Sequence, residues 1–200
     1  ELVRRVDGRL LGAFWSEEIA EPNGIEFWIG LPEKEHDRVA ELVPARAGKG
    51  GEPKAFYKAL LTKGSVTRLA FASPSGLAGV AEMKEPKSWR AGFPAMGGVG
   101  SARGLAKFYD WVLRQDILEE LIRPRISGLD HIQRIENAFG FGMMLGLGPN
   151  MDCFGHPGAG GSYGFANAKT GESFAFVMNR FEANLYPSEA RLALCKERIS

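Results

Sequence analysis

The chain has only two cysteines, Cys153 and Cys195, far apart among its 200 residues. A disulfide scaffold and a zinc site built mainly of thiolates are therefore excluded. Charge of one sign is lacking too: 25 Lys and Arg face 24 Asp and Glu. That balance gives no electrostatic footprint for nucleic acid or a membrane surface. No run approaches the about 18 consecutive apolar residues that a membrane span needs. A secretory leader and an initiator Met are not visible either. The first residues, Glu1-Leu2-Val3-Arg4-Arg5, already lie inside a helical pattern, which reads as a chain entered partway along. What is abundant is glycine, with 26 residues, beside 11 prolines and a hydrophobic share of 44%. That suffices for one ordinary domain with a sizeable core, or for a piece of a larger one.

Leu2, Val3, Val6, Leu10 and Phe14 recur at three- and four-residue steps, which predicts an amphipathic helix over residues 1–18. Pro22-Asn23-Gly24 ends it. Leu31-Pro32-Glu33 opens a second predicted helix, with Val39, Leu42 and Val43 as its buried face and Pro44 as its stop. Glycines and prolines punctuate residues 45–100, from Gly48-Lys49-Gly50-Gly51 through Pro74 and Pro86 to Gly97-Gly98. Short helices and long loops follow from that texture. Residues 30–95 are thus expected to form a loop-rich helical lobe, the wall of a cleft, and residues 96–200 a sheet-and-helix part. Ser101 reads as an N-cap to a helix carrying Leu105, Phe108, Tyr109 and Val112. Phe139–Leu145 alternates like a strand, and Ser173–Asn179 reads as a strand covered on both faces. Ser162–Ala168 and the turn Asn167-Ala168-Lys169-Thr170-Gly171 read as a hairpin, and Pro187 opens a closing helix with Leu192, Cys195 and Ile199 on one side. The order is that of an α+β fold with a mainly antiparallel sheet flanked by helices.

The stretch with most chemical potential is Phe154-Gly155-His156-Pro157-Gly158-Ala159-Gly160-Gly161-Ser162, in which five of nine residues are Gly or Ala. Backbone can approach a ligand closely there, one imidazole stands at its head, and free N–H groups beside it are what an oxyanion hole requires. A glycine-rich turn with His156 hydrogen-bonded in its rim fits the same spacing. Two motif matches nearby are decoys. Gly160-Gly161-Ser162-Tyr163-Gly164 fits the G-x-S-x-G elbow, but that triad needs a His after the Ser, and His36, His131 and His156 all precede Ser162. Lys169-Thr170-Gly171 spells K-T-G at a hairpin tip, where these are ordinary turn residues. His36 sits in the charged run Glu33–Arg38 and reads as a solvated surface residue. Asp130 and His131 could meet a metal, but no second ligand pair supports it. Trp28, Trp89 and Phe93 flank Gly- and Pro-rich turns and could line a pocket. Cys153 and Cys195 read as small buried hydrophobes.

Three separated segments, in order, resemble the β-lactamase-related serine hydrolases, the esterase branch near class C β-lactamases and penicillin-binding proteins. They are Phe27–Ala40, Gly97–Tyr109 and Phe154–Ala166. The last is similar to the family's third active-site motif, with H-x-G in place of K-T-G. The resemblance implies an antiparallel sheet between helices with a helical lobe over the site. It implies acyl transfer in which the Ser of S-x-x-K attacks a carbonyl, Lys and the Tyr of Y-x-N manage the proton, and water deacylates. His156 then takes the place of the third-motif Lys, Ala159 supplies one oxyanion N–H beside Gly158, and Gly160, Trp28 and Phe93 bind substrate. The substrate is a small ester or lactam, and no cofactor or metal is called for. No Ser here has Lys three residues later, and no Tyr has Asn two residues later. The chain therefore resembles the C-terminal half of such an enzyme, with the missing N-terminal half as its partner, or a degenerate homologue that keeps the cleft for binding.

Overall fold

The computed structural model describes residues 1–45, 54–72, 80–148, 150–182, 186 and 188–196. Its N-terminal segment forms two short helices, α1 (Leu2–Asp7) and α2 (Leu11–Phe14), the second continuing as a π-helical turn over Trp15–Ala20. The single helix predicted over 1–18 is thus divided. Gly8 ends α1 with a left-handed φ of 94°, which glycine adopts without steric cost. Burial begins only at Trp15, whose indole N–H donates to the Phe27 carbonyl at 2.7 Å and which packs near Ala20 and Ile25. Leu2, Val6 and Leu10, three of the five residues of the predicted apolar face, stay exposed.

Strand β1 (Phe27–Ile29) is followed by a 3-10 turn over Glu33–Arg38. The helix predicted to reach Pro44 stops there, five residues short of the proline. Val39 is extended, and Val43 bridges Arg180 in parallel, its N–H donating to Asn179 O at 2.7 Å. The short helices α3 (Lys54–Leu61), α4 (Val66–Ala72), α5 (Val80–Met83) and α6 (Pro86–Arg90) come next. The glycine run 48–51 and Pro53, Pro74 and Gly76 lie outside the described residues. Strand β2 (Gly98–Gly100) then returns antiparallel to β1, with Val99 opposite Trp28.

Helix α7 (Ala102–Leu113) starts where the sequence places it, Ser101 Oγ accepting from the Gly104 N–H at 2.9 Å. After α8 (Leu118–Ile122) come β3 (Ile126–Leu129), β4 (Glu136–Phe139), β5 (Met144–Leu147), β6 (Cys153–Pro157), β7 (Tyr163–Asn167) and β8 (Glu172–Phe176). They form one antiparallel sheet in sequence order. Helix α9 (Glu189–Lys196) follows; Pro187 and Ile199 lie outside the described residues. The strand predicted over 139–145 is in fact two strands, folded at Gly140–Met143 with the Gly140 N–H on the Met143 carbonyl at 2.9 Å. The strand covered on both faces is β7, all five residues buried. Its neighbour β8, expected in that role, lies at the sheet edge, is half-buried and ends at Phe176.

Alternation along the strands builds two cores. Met144, Leu147, Cys153, Tyr163 and Phe165 face one side, joined by Tyr186 and by Leu192 of α9. Phe154 and Ala166 face the other, against Tyr109 and Val112 of α7 and Leu118 and Leu121 of α8. This is the α+β arrangement that the sequence order implies: an antiparallel sheet between helices.

Candidate active site

The end of β6 and the turn behind it form one wall of a cleft of about 160 Å³. His156, Pro157 and Ala159 line that wall; Phe139 of β4, Met144 of β5 and Phe71 of α4 supply apolar surface opposite. Gln133 and Tyr186 also line it, and among the described residues no Asp, Glu, Lys or Arg does. The cleft is therefore neutral and largely apolar, with a few convergent polar groups.

His156 is exposed, its ring tilted over Phe139 at 5.9 Å. Its Nε2 lies 2.5 Å from the Gly142 carbonyl. A carbonyl only accepts, so Nε2 carries the proton, and Nδ1 is the lone-pair nitrogen of the neutral ring. Its backbone is fixed from below: Tyr109 is buried, hydrogen-bonded to the His156 backbone, and its ring occupies the space a side chain at Gly164 would need. Burial pushes the Tyr109 hydroxyl well above its ordinary range, with the His156 backbone bond opposing, so the phenol stays protonated.

Ala159 sits in a tight turn and not in the straight strand that an oxyanion strand implies. The Gly158 N–H donates to Ser162 O at 2.7 Å, and the Gly161 N–H donates back to Gly158 O at 2.9 Å. Ala159 is exposed, and its N–H has no acceptor among the described residues. Gly160 is buried, its carbonyl turned away from the cleft to accept from the Glu182 N–H at 2.9 Å. Gly160 does not line the cleft. Neither does Trp28, which is paired in β1 with the Arg38 guanidinium 5.9 Å above its ring, nor Phe93, whose carbonyl accepts from Gly97.

Gln133 and Tyr186 carry no motif, yet they meet here, the Tyr186 hydroxyl 2.6 Å from Gln133 Oε1. Gln133 is placed by Asp130, whose Oδ1 accepts from the Ile132 and Gln133 N–H groups at 2.7 and 2.8 Å. Burial pushes the Asp130 carboxyl up, but the hydrogen bonds from Gln133, Asn137 and Ile132 outweigh it and hold the group below its usual range. The buried Thr67 hydroxyl ties α4 to the same loop through Ile132 O at 2.8 Å. An Asp followed by a polar residue three positions on was the one sequence signal for this loop.

The other sequence candidates fall into structural places. His36 is not a solvated surface residue: its ring meets the Trp89 edge at 5.3 Å and its Nε2 is buried. His131 is exposed, and the described residues hold no His, Cys, Asp and Glu group arranged for a metal. Lys169 and Thr170 are exposed at the β7–β8 tip, their N–H groups on Asn167 Oδ1. Cys153 is buried, and burial with the adjoining Asp152 pushes its thiol up to about 12, so it is inert.

The family model for β-lactamase matches residues 1–196. The chain belongs to the β-lactamase family. The esterase/β-lactamase LipL of Mycobacterium tuberculosis is 29% identical over 195 residues, covering 90% of this chain and 45% of its own length. A penicillin-binding protein homolog from Caulobacter crescentus superposes with a TM-score of 0.74 at 32% identity, over 96% of this chain and 53% of its own. A family VIII carboxylesterase reaches a TM-score of 0.78 at 28% identity, over 98% and 54%. This β-lactamase-family chain thus spans about half the length of the relatives it matches. Among its described residues no helix is long and apolar enough to cross a membrane.

Proposed function

We propose that the chain is the part of a serine hydrolase that supplies the third active-site motif, and that the enzyme cleaves small neutral carboxylic esters through an acyl-enzyme. The observation that carries this reading is that the Ala159 N–H has no acceptor among the described residues, while Ala159 lines, beside His156, a cleft whose described lining is neutral. In this reading Ala159 donates to the developing oxyanion, Gly158 shapes the turn, and His156 exchanges a proton through Nδ1 while Nε2 stays on Gly142. The nucleophile comes from a segment bearing S-x-x-K. The neutral lining favours an ester over a lactam that carries a carboxylate, since a buried anion needs a partner charge. Phe71, Phe139 and Met144 would hold the acyl group. The second reading, a catalytically silent binding domain, rests on the absence of S-x-x-K and Y-x-N from these 200 residues.

The test is made in an enzyme assembled from this chain and a nucleophile-bearing N-terminal segment. Ala159→Pro removes the donor and should lower kcat about 100- to 1000-fold. His156→Ala should lower turnover far beyond any change in melting temperature, while the exposed His131→Ala should leave it untouched. If His156→Ala behaves like His131→Ala, the motif is not part of the site. The 200-residue chain alone should turn over neither short activated esters nor chromogenic cephalosporins, and stoichiometric phosphonate labelling at Ser162 would overturn the reading of that residue.

A further inference from the structure

The turn that carries Ala159 is held from behind by a partly buried arginine. Arg191 of α9 donates through Nη1 to Gly160 O at 3.1 Å and through Nη2 to Arg180 O at 3.0 Å, and its Nε pairs with Glu182 Oε1 at 3.0 Å. The pair is well covered, with side-chain exposures of 15% for Arg191 and 25% for Glu182. Glu182 is in turn fixed by Ser188, whose hydroxyl and N–H both donate to its carboxylate at 2.9 and 3.2 Å. Gly161 lies directly against the guanidinium: any side chain there would run into Nη1. With φ values of +94° and +111°, Gly160 and Gly161 would otherwise be the least constrained residues of the turn.

The geometry points to Arg191 as a positioning residue that orients and polarises the Ala159 N–H through two peptide units; this inference rests on the oxyanion role proposed for Ala159. Each peptide unit is planar, so fixing one end fixes the other. Gly160 C=O, held by Arg191 and by the Glu182 N–H, shares its plane with the Gly161 N–H. That N–H donates to Gly158 C=O at 2.9 Å, which shares its plane with the Ala159 N–H. The chain of donors therefore runs from the guanidinium through two carbonyls to the cleft. A cation at its head draws electron density back along the chain and makes the last N–H a stronger donor. A bond that strengthens as charge develops on the substrate oxygen acts on the transition state more than on the bound substrate.

Arg191→Lys carries the test, because Arg191→Ala also removes the guanidinium packing on Phe176 and is confounded by unfolding of the turn. A lysine has one point charge and cannot serve Gly160, Arg180 and Glu182 together. In the 200-residue chain, the Ala159 and Gly161 amide proton resonances should both move upfield in Arg191→Lys, whereas Leu194→Ala on the same helix should leave them in place. In the assembled enzyme, Arg191→Lys should lower kcat about tenfold, a part of what loss of the donor itself costs, with KM for a neutral ester changed less than twofold. Unchanged amide resonances, or a kcat that falls only as far as the folded fraction does, would overturn the relay. His156→Ala separates the two claims. Should it disable turnover while Arg191→Lys leaves kcat intact, the relay alone is wrong; should it leave turnover intact, the site reading itself fails, whatever the resonances show.

Discussion

Strand β7 and helix α1 are both apolar at the spacing their elements require, yet they end in opposite environments. All five residues of β7 are buried between α7 on one face and the Tyr186–Leu192 side on the other, Phe165 at 1% exposure. In α1, Leu2 and Val6 stand at 81% and 89% exposure. An apolar period states which face of an element needs cover; it does not state where the cover comes from. Within this chain the sheet finds its cover on both sides, and α1 finds none among the described residues. The functional consequence follows the same division: His156 and Ala159 are exposed, but they stand at the end of β6, whose neighbour β7 is fully buried, so the packed side holds the backbone that presents them.

The largest expected effect sharpens that contrast by truncation. Phe165→Ala should cost about 3–5 kcal/mol of stability, since the site is closed on every side and cannot collapse. Val6→Ala should stay within about 0.5 kcal/mol. Urea melts of the two variants measure the difference, and a Val6→Ala loss approaching that of Phe165→Ala would mean that α1 is covered in solution.

Next comes a cap. Ser101→Ala should cost about 1 kcal/mol, because Ser101 Oγ accepts the Gly104 N–H at the head of α7, the helix that supports the sheet. Glu1→Ala should cost almost nothing by comparison, since its side chain makes no cap bond to α1. Thermal melts of both variants compare the two helix starts directly.

Where one segment carries both the signal and the partner, the sequence is legible. Ser101 caps its own helix, and Asn167 Oδ1 takes the Lys169 and Thr170 N–H groups of its own turn. Legibility fails where a distant segment decides. Val43 pairs with Arg180, so a predicted helix face became an extended bridge. Gly140–Met143 turns because β4 and β5 pair with each other, although residues 139–145 read as one strand. The cleft divides in the same way. His156 and Ala159 share a Gly-rich run and were visible together, whereas Phe71, Gln133 and Tyr186 reach the cleft from three separate elements. Gly160 belongs to the same Gly-rich run, and Trp28 and Phe93 flank Gly- and Pro-rich turns, but none of the three is among the described lining residues: Gly160 is buried in the turn, Trp28 is paired in β1, and the Phe93 carbonyl accepts from Gly97.

A smaller effect concerns acid. The Asp130 carboxyl is held below its ordinary range, so its contribution to the folded state is complete above that range and is lost as pH falls through the depressed value. Asp130→Asn should flatten this acid-side decline, and it should loosen the loop that carries Gln133. Stability measured by urea melts from pH 6 downward reads the first effect. The Gln133 amide exchange rate reads the second. An unchanged pH profile in Asp130→Asn would show that other carboxylates govern the acid side.

The smallest effect on stability is expected from the exposed stripe itself, and it is the most informative about the N-terminal region. Leu2, Val6 and Leu10 are exposed, and Ile126 and Leu129 are exposed on the sheet-edge strand β3, on opposite faces of it. Exposed apolar side chains near one another bind hydrophobic dyes and promote self-association, and an unpaired strand edge adds to it. The chain alone should therefore bind such a dye and associate at high concentration. Leu2→Ser with Val6→Ser should reduce both while moving the melting midpoint hardly at all, because neither side chain contributes burial in the isolated chain. Ile126→Ser with Leu129→Ser separates the sheet edge from the helix stripe, so the two pairs assign the association to one surface or the other. A wild-type chain that stays monomeric and binds no dye would instead show that both surfaces are covered in solution, and the contrast between β7 and α1 would disappear.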